Sequence, residues 1–500
     1  MLQAKAPPPP LIPRMKGGFE REPSGATADE IWPRPTSHLA CLAGAALLLV
    51  WPAFWNGYPL VFADTGTYLG QALLVYLGWD RPPFYSVFLM ATDWRLTLWL
   101  PVFAQGLILA HLLSVTLRCL GRPEGRWLLL AAALLALLTG LPWVAAQLIP
   151  DVFTGVVVLS LWLLGFRAAT LSALERLWFL LLATGAVAMH QSHLPLVFGL
   201  AILGGALLWS RWGWRLALAG TARMAGPALL AGLAMIAVNL AGHGRASVSP
   251  FGSVFLAARL IYDGPGMAML RHTCPEAGWR ICPVLDRLGP HHNAFLWDPR
   301  SPLHNELGGP KAWSPEASAI IAATIRAAPA EVAAHMLGNG LRQFWLIDTG
   351  DGLEAWPGVP GPEPLIARFF PSDYQSFLSS RQQRGLLRQD AEFLAPLHRA
   401  VALLGVLALL GLLLFRRRVL GFPGAALAIF VLAAALGNAM ITGALSGPAE
   451  RYQARLAWLF AFTPAVLLTM PRARPAPDIP PISQPALDSQ PALDACQPPH

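Results

Sequence analysis

The sequence predicts an all-α polytopic membrane protein with about ten transmembrane helices and one large, mainly helical extracytoplasmic segment. Three observations predict it. Of the 500 residues, 55% are hydrophobic and only 13% charged, about half the charged share of an ordinary soluble domain. So little polar surface cannot face water on all sides. Ten apolar runs approach the roughly 20 residues that a spanning helix needs. Finally, the basic residues sit in short clusters between those runs, the pattern that sets orientation in a membrane. The formal charge of +8 is therefore read as topology and not as a nucleic-acid footprint.

In chain order, residues 1–36 form a polar tail, Pro-rich at Pro7 to Pro10 and basic at Lys5, Arg14 and Lys16, expected to be cytoplasmic and disordered. The first apolar run is long enough to span, so it reads as an uncleaved anchor and not as a signal peptide. An N-terminal membrane module, 37–242, holds seven of the runs, at 38–56, 98–117, 127–147, 150–166, 177–192, 194–210 and 224–242. Residues 243–396 have nearly balanced charge and form the extracytoplasmic segment. A C-terminal membrane module, 397–470, holds runs at 397–415, 422–441 and 453–470, before a Pro-rich cytoplasmic tail at 471–500. With the N-terminus inside, the inner loops and tails collect eighteen Lys and Arg, among them Arg118, Arg167, Arg211 and Arg416. The short outer loops hold only Arg81, Arg95, Arg451 and Arg455. This asymmetry predicts a bacterial-type inner membrane protein with both termini cytoplasmic.

Within 243–396, Ser314-Pro315-Glu316 reads as a helix start, with Ser as cap and Pro at the first helical position. Ile320, Ile321 and Ile325 then recur at helical spacing. A second helix is expected from Pro329 to Ile347, and a loop at 349–364. Cys274 and Cys282 are close enough to be bridged if the segment faces an oxidising compartment; two free thiols are the alternative.

The predicted outer helix ends collect the unusual polar residues. Phe62-Ala63-Asp64-Thr65 follows the first run, and Arg81-Pro82-Pro83-Phe84-Tyr85 precedes the second. Pro150-Asp151 opens the fourth, His190-Gln191-Ser192-His193 joins the fifth and sixth, and Arg451-Tyr452 opens the last. Ionisable groups at such positions are costly unless they face an internal cavity. A carboxylate there can take a proton from a hydroxyl nucleophile, and an Arg fork suits a phosphate. Each residue also has a plainer reading: Asp64 as a turn residue, Asp151 as a helix cap, Arg451 snorkelling to the interface, Arg81 ordering its loop. His190 and His193 lie about one turn apart with no third ligand evident, so backbone-bonded histidines are favoured over a metal pair.

In this order, the motifs resemble the GT-C superfamily of membrane glycosyltransferases, which contains protein mannosyltransferases and the aminoarabinose transferases of lipid A. The match covers roughly 38–240 and 397–470, with a lone Asp64 where many members have paired acids. The resemblance implies transfer of a sugar from a polyprenyl-phosphate donor to a hydroxyl on a glycan, lipid or protein, with inversion. Asp64 would be the catalytic carboxylate, orienting or deprotonating the hydroxyl. Arg451 and Arg81 would contact the phosphate, with Asp151, His190, His193 and Tyr452 completing the substrate-binding set. No metal site is read from the sequence, although a divalent cation is compatible with the carboxylates. The partners implied are the lipid bilayer, donor and acceptor, and no nucleic acid. The rival reading is a non-enzymatic transporter or flippase of a lipid-linked glycan intermediate, which would call for internal symmetry; the uneven division into seven and three runs shows none.

Overall fold

The computed structural model describes residues 35–359 and 361–470, so the two predicted tails, apart from residues 35 and 36, lie outside the described residues. Their regular secondary structure is helix, with no strand among them. In order, the first half comprises α1 (Pro35–Leu49), α2 (Trp51–Asn56), α3 (Ala63–Leu74), α4 (Phe84–Asp93), α5 (Trp99–Cys119), α6 (Gly125–Leu138) and α7 (Leu141–Ala145). A short 3-10 turn (Pro150–Val152) leads into α8 (Phe153–Phe166), α9 (Ala173–Met189), α10 (His193–Trp212) and α11 (Trp214–His243). Then come α12 (Gly252–Asp263), α13 (Pro265–Thr273), α14 (His292–Trp297), α15 (Pro302–Asn305), α16 (Gly309–Ala327) and α17 (Pro329–Trp345). The chain closes with α18 (Glu363–Phe369), α19 (Pro371–Ser379), α20 (Leu387–Phe415), α21 (Arg417–Leu445) and α22 (Arg451–Thr469).

Among the described residues, five helices are long and apolar enough to cross a membrane: α5, α10, α11, α20 and the Leu420–Leu445 part of α21. They are fewer than the ten expected runs because several of those runs are broken or short. The 38–56 run divides at Val50, where Pro52 stands at the start of α2 and cannot donate to the preceding turn. The 127–147 run divides at Thr139-Gly140, with Pro142 in the same role. What remains are the shorter apolar helices Ser37–Leu49, Gly125–Leu138 and Pro150–Phe166. Helix α9 has 17 residues, and α22 opens on Arg451, Gln453 and Arg455. Helices α16 and α17 meet at a bend of 106° and together would make a sixth candidate if counted as one broken span.

The start expected at Ser314 is six residues late. Helix α16 begins at Gly309, behind Gly308 in the left-handed region (φ +79°), and Pro310 is the proline of its first turn. Pro315 lies inside the helix. Glu316, freed from any capping role, accepts hydrogen bonds from the Arg280 and Ile281 amides (3.0 and 3.1 Å) and from the Trp313 indole (3.0 Å). The second helix runs Pro329–Trp345, close to expectation.

Two hydrophobic cores organise the chain. The larger joins the long helices to Ile347, Leu353, Ile366, Phe370 and Phe377. The smaller is built within 254–320 around Trp313 and Phe295, and Trp79 packs on it. Cys274 and Cys282, with Cα atoms 5.5 Å apart, are disulfide-bonded beside this smaller core. A polar tie fixes the far end of α5: Ser172 and Glu175 form a reciprocal capping box, and Arg118 donates to Glu175 at 2.6 Å.

Small residues let the long helices approach closely, as expected where lipid supplies no hydrophobic drive between helices. A Cβ on Gly405 of α20 would overlap the Phe460 carbonyl of α22, whereas one on Gly411 would meet open space. Gly405→Ala is expected to destabilise the detergent-solubilised protein by about 1–3 kcal/mol, and Gly411→Ala to leave it unchanged. Equal melting temperatures for the two variants would show that the α20–α22 contact is looser than described.

Candidate functional site

The site is assembled from three non-helical joints. Between α2 and α3, the Phe62 amide donates to Thr65 Oγ1 (2.9 Å), and the Thr65 hydroxyl donates to the Leu148 carbonyl (3.0 Å). An isolated parallel bridge pairs Leu60 with Gln147, through Leu60 N to Ala146 O (3.0 Å) and Leu148 N to Leu60 O (2.9 Å). Gln105 of α5, buried, holds the same stretch by donating to the carbonyls of Ala145 (2.8 Å) and Gln147 (3.0 Å), while Tyr85 donates to its Oε1 at 2.7 Å. These bonds, from the main chain and from the Thr65 and Gln105 side chains, set Asp64, in the first turn of α3, beside Asp151, in the turn before α8. The third joint is the start of α22.

Here residues far apart in sequence converge. Arg81 donates to Asp64 Oδ1 at 2.6 Å, and Arg451 to Asp64 Oδ2 at 3.2 Å. Arg451 Nη1 is also 3.8 Å from Asp151 Oδ2. One turn further along α22, Arg455 donates to Asp151 Oδ1 (2.8 Å), Asn438 Oδ1 (2.7 Å) and Ser192 Oγ (3.1 Å). The Arg455 side chain is 0% exposed and that of Asp151 4%. A cation at a helix N-terminus is opposed by the helix dipole; the two acids, with Asp351 accepting from the Arg451 amide at 3.1 Å, offset that cost.

Three guanidinium groups meet Asp64 and Asp151, with Asp80 Oδ2 4.0 Å from Arg81 Nε and Asp351 against the Arg451 amide, and Arg81 Nε is buried without a hydrogen-bond partner among the described residues. Burial pushes the Asp64 carboxyl up, but Arg81 and Arg451 together outweigh it and hold Asp64 below the ordinary carboxylate range. Both Asp64 oxygens are engaged. The charge cluster borders two narrow clefts: one lined by Arg81, Trp79, Phe84, Gln191 and Asn239, the other lined by Arg451, Asp151, Gln147, Asp351 and Trp143.

Of the residues singled out in the sequence, Asp64, Arg81, Asp151, Arg451 and Tyr452 meet. The Tyr452 hydroxyl accepts from Arg451 Nη2 at 3.2 Å, and its ring faces the guanidinium groups of Arg451 and Arg455 at 4.8 and 5.4 Å. His190 joins through its neighbour: its Nδ1 lies 2.8 Å from Ser192 Oγ, which in turn receives Arg455. His193 is set apart. It is fully buried, with Nδ1 2.8 Å from the Ala186 carbonyl and Nε2 2.8 Å from Thr154 Oγ1. A carbonyl only accepts, so Nδ1 holds the proton and Thr154 donates to Nε2. Both ring nitrogens are occupied, and His193 braces α9 and α10 against α8. The disulfide Cys274–Cys282 belongs to the smaller core. No group of three or more potential metal ligands occurs among the described residues.

Sequence reasoning missed Arg455, Asn438 and Gln147. A signal for Arg455 existed: it stands four residues after Arg451, hence on the same helical face. Gln147 and Asn438 gave none, being single amides within apolar runs. No family model, curated protein or solved structure matches this chain.

Proposed function

We propose that this chain is an integral membrane glycosyltransferase of GT-C type. It moves a sugar from a polyprenyl-phosphate donor to an acceptor hydroxyl on the extracytoplasmic face of a bacterial-type inner membrane, with inversion at the anomeric carbon. Ten crossings follow if the five long helices are joined by α1, α6, α8, α9 and α22, with both termini cytoplasmic.

The observation that carries the reading is the convergence of Arg81 and Arg451 on Asp64 beside a narrow cleft. Guanidinium forks are suited to phosphate oxygens. When the donor phosphate binds, Arg81 and Arg451 turn from Asp64 towards it. In the transfer step, the acceptor hydroxyl gives its proton to a carboxylate of the cluster, and its oxygen forms its bond to the anomeric carbon as the carbon–oxygen bond to phosphate breaks. The electron pair stays with polyprenyl phosphate, whose growing charge the two arginines stabilise. Asp64 keeps both guanidinium groups aimed before the donor arrives, and Tyr452 supports Arg451 from the other side.

Asp64→Asn, at normal abundance in the membrane, is expected to lower transfer on the order of a hundredfold, by misaiming donors that act on the transition state. Mass spectrometry of the surface glycans should then find one sugar missing from an otherwise mature structure. Unchanged glycans would remove Asp64 from the mechanism, and loss of the whole glycan would favour a flippase.

A further inference from the structure

We propose, resting on the transferase reading, that Asp151 and Gln147 form the hydroxyl-binding subsite and that Asp151 is the base that takes the acceptor's proton. Asp64 is then a positioning anion.

Two buried atoms point to it. Asp151 is 3% exposed and Gln147 5% exposed. Asp151 Oδ2 and Gln147 Nε2 have no hydrogen-bond partner among the described residues, and both residues line the cleft that also includes Arg451 and Trp143. A buried polar atom left unpaired is costly, so such atoms mark places where a ligand completes the bonding. One of the two accepts and the other donates. A hydroxyl is the simple group that answers both, giving its proton to Asp151 Oδ2 and receiving the Gln147 N–H. Trp143, packed against Trp51, closes the apolar side of this cleft. The other carboxylates of the cleft are engaged, Asp348 with Arg399 and Asp351 with the Arg451 amide.

The division of labour follows from the contrast between the two acids. Each Asp64 oxygen accepts from a guanidinium, whereas Asp151 has one oxygen held by Arg455 and one unbonded, 3.8 Å from Arg451 Nη1. Arg451 thus stands between the phosphate it stabilises and the base beside it. As the acceptor oxygen attacks, its proton passes to Asp151 Oδ2, the sugar–phosphate bond breaks, polyprenyl phosphate leaves with the electron pair, and Asp151 later returns the proton to water.

The test uses the full chain in lipid nanodiscs, with polyprenyl-phosphate glucose, mannose and arabinose as donors and methyl β-glucoside as the hydroxyl probe. Binding of methyl β-glucoside, followed by saturation-transfer NMR, is expected for wild type and at least tenfold weaker in Gln147→Leu. Asp151→Asn is expected to retain polyprenyl-phosphate affinity within twofold while release of polyprenyl phosphate falls at least a hundredfold. Because Asp151 also holds Arg455, the Gln147→Leu comparison decides alone if Asp151→Asn does not fold. Undiminished probe binding in Gln147→Leu, or more than a tenth of wild-type turnover in Asp151→Asn, overturns the subsite while leaving the transferase reading in place. A wild-type protein that binds no polyprenyl phosphate overturns the transferase reading itself.

Discussion

Arg455→Met is expected to cost about 3–5 kcal/mol of folding stability, the range for removing one partner of a buried ion pair. The Arg455 side chain is fully buried and bonded to Asp151, Asn438 and Ser192, which belong to three separate parts of the chain. Methionine fills much of the volume but leaves the Asp151 carboxylate with Arg451 at 3.8 Å as its remaining ionic neighbour. Desolvation of that charge is then poorly compensated. The double variant Asp151→Asn with Arg455→Met removes both charges and should recover most of the loss, since what is expensive is the orphaned charge and not the absence of the pair. Thermal unfolding in detergent, in a double-mutant cycle, measures both quantities. A single variant within 1 kcal/mol of wild type would show that water reaches this node and that its burial does not matter.

The second large effect is expected at Arg451. Removal of one preorganised donor to a developing oxyanion lowers turnover by roughly two to three orders of magnitude, and Arg451→Ala should fall in that range. Arg451→Lys separates charge from geometry. The guanidinium contacts Asp64 and Tyr452 and lies 4.5 Å from the Phe62 ring, a planar set of contacts that an ammonium cannot reproduce. Lysine is therefore expected to restore polyprenyl-phosphate binding but little of the turnover. Nanodisc kinetics with matched binding measurements give the split, and full turnover in Arg451→Lys would reduce the role of this residue to simple charge.

Much of this molecule was legible before its structure was described. Low charge and long apolar runs led directly to an all-helical chain with candidate membrane crossings. The meeting of Asp64 and Arg451 followed from their positions at helix ends on one predicted side. The lengths of individual helices were less legible, because Pro52 and Pro142 lie within runs whose hydropathy stays high on both sides of the break. Hydropathy measures affinity for lipid and is blind to the missing N–H that ends a helix. Ser314 misled for a related reason: two prolines, Pro310 and Pro315, could each open α16, and the choice fell to Gly308, whose left-handed backbone suits a helix boundary. His193 resembled His190 in sequence, but its partners, the Ala186 carbonyl and Thr154, are fixed by how α8, α9 and α10 pack. No local pattern encodes that packing. Arg455 was hidden by its type, since an arginine near a helix end is ordinarily a surface anchor.

The short seam between Leu60 and Gln147 has an evolutionary corollary. Its bonds run between peptide groups, so the separation of the two acids is largely indifferent to which side chains occupy the seam. Leu60 and Ala146 are themselves fully buried, so descendants of this chain can exchange them only for side chains of similar size, and such exchanges keep the same spacing. Gaining or losing one residue between Leu60 and Asp64, or between Gln147 and Asp151, is a different event. It rotates one carboxylate away from its arginine, and a lineage that tolerated it would have to rebuild the charge cluster from new positions.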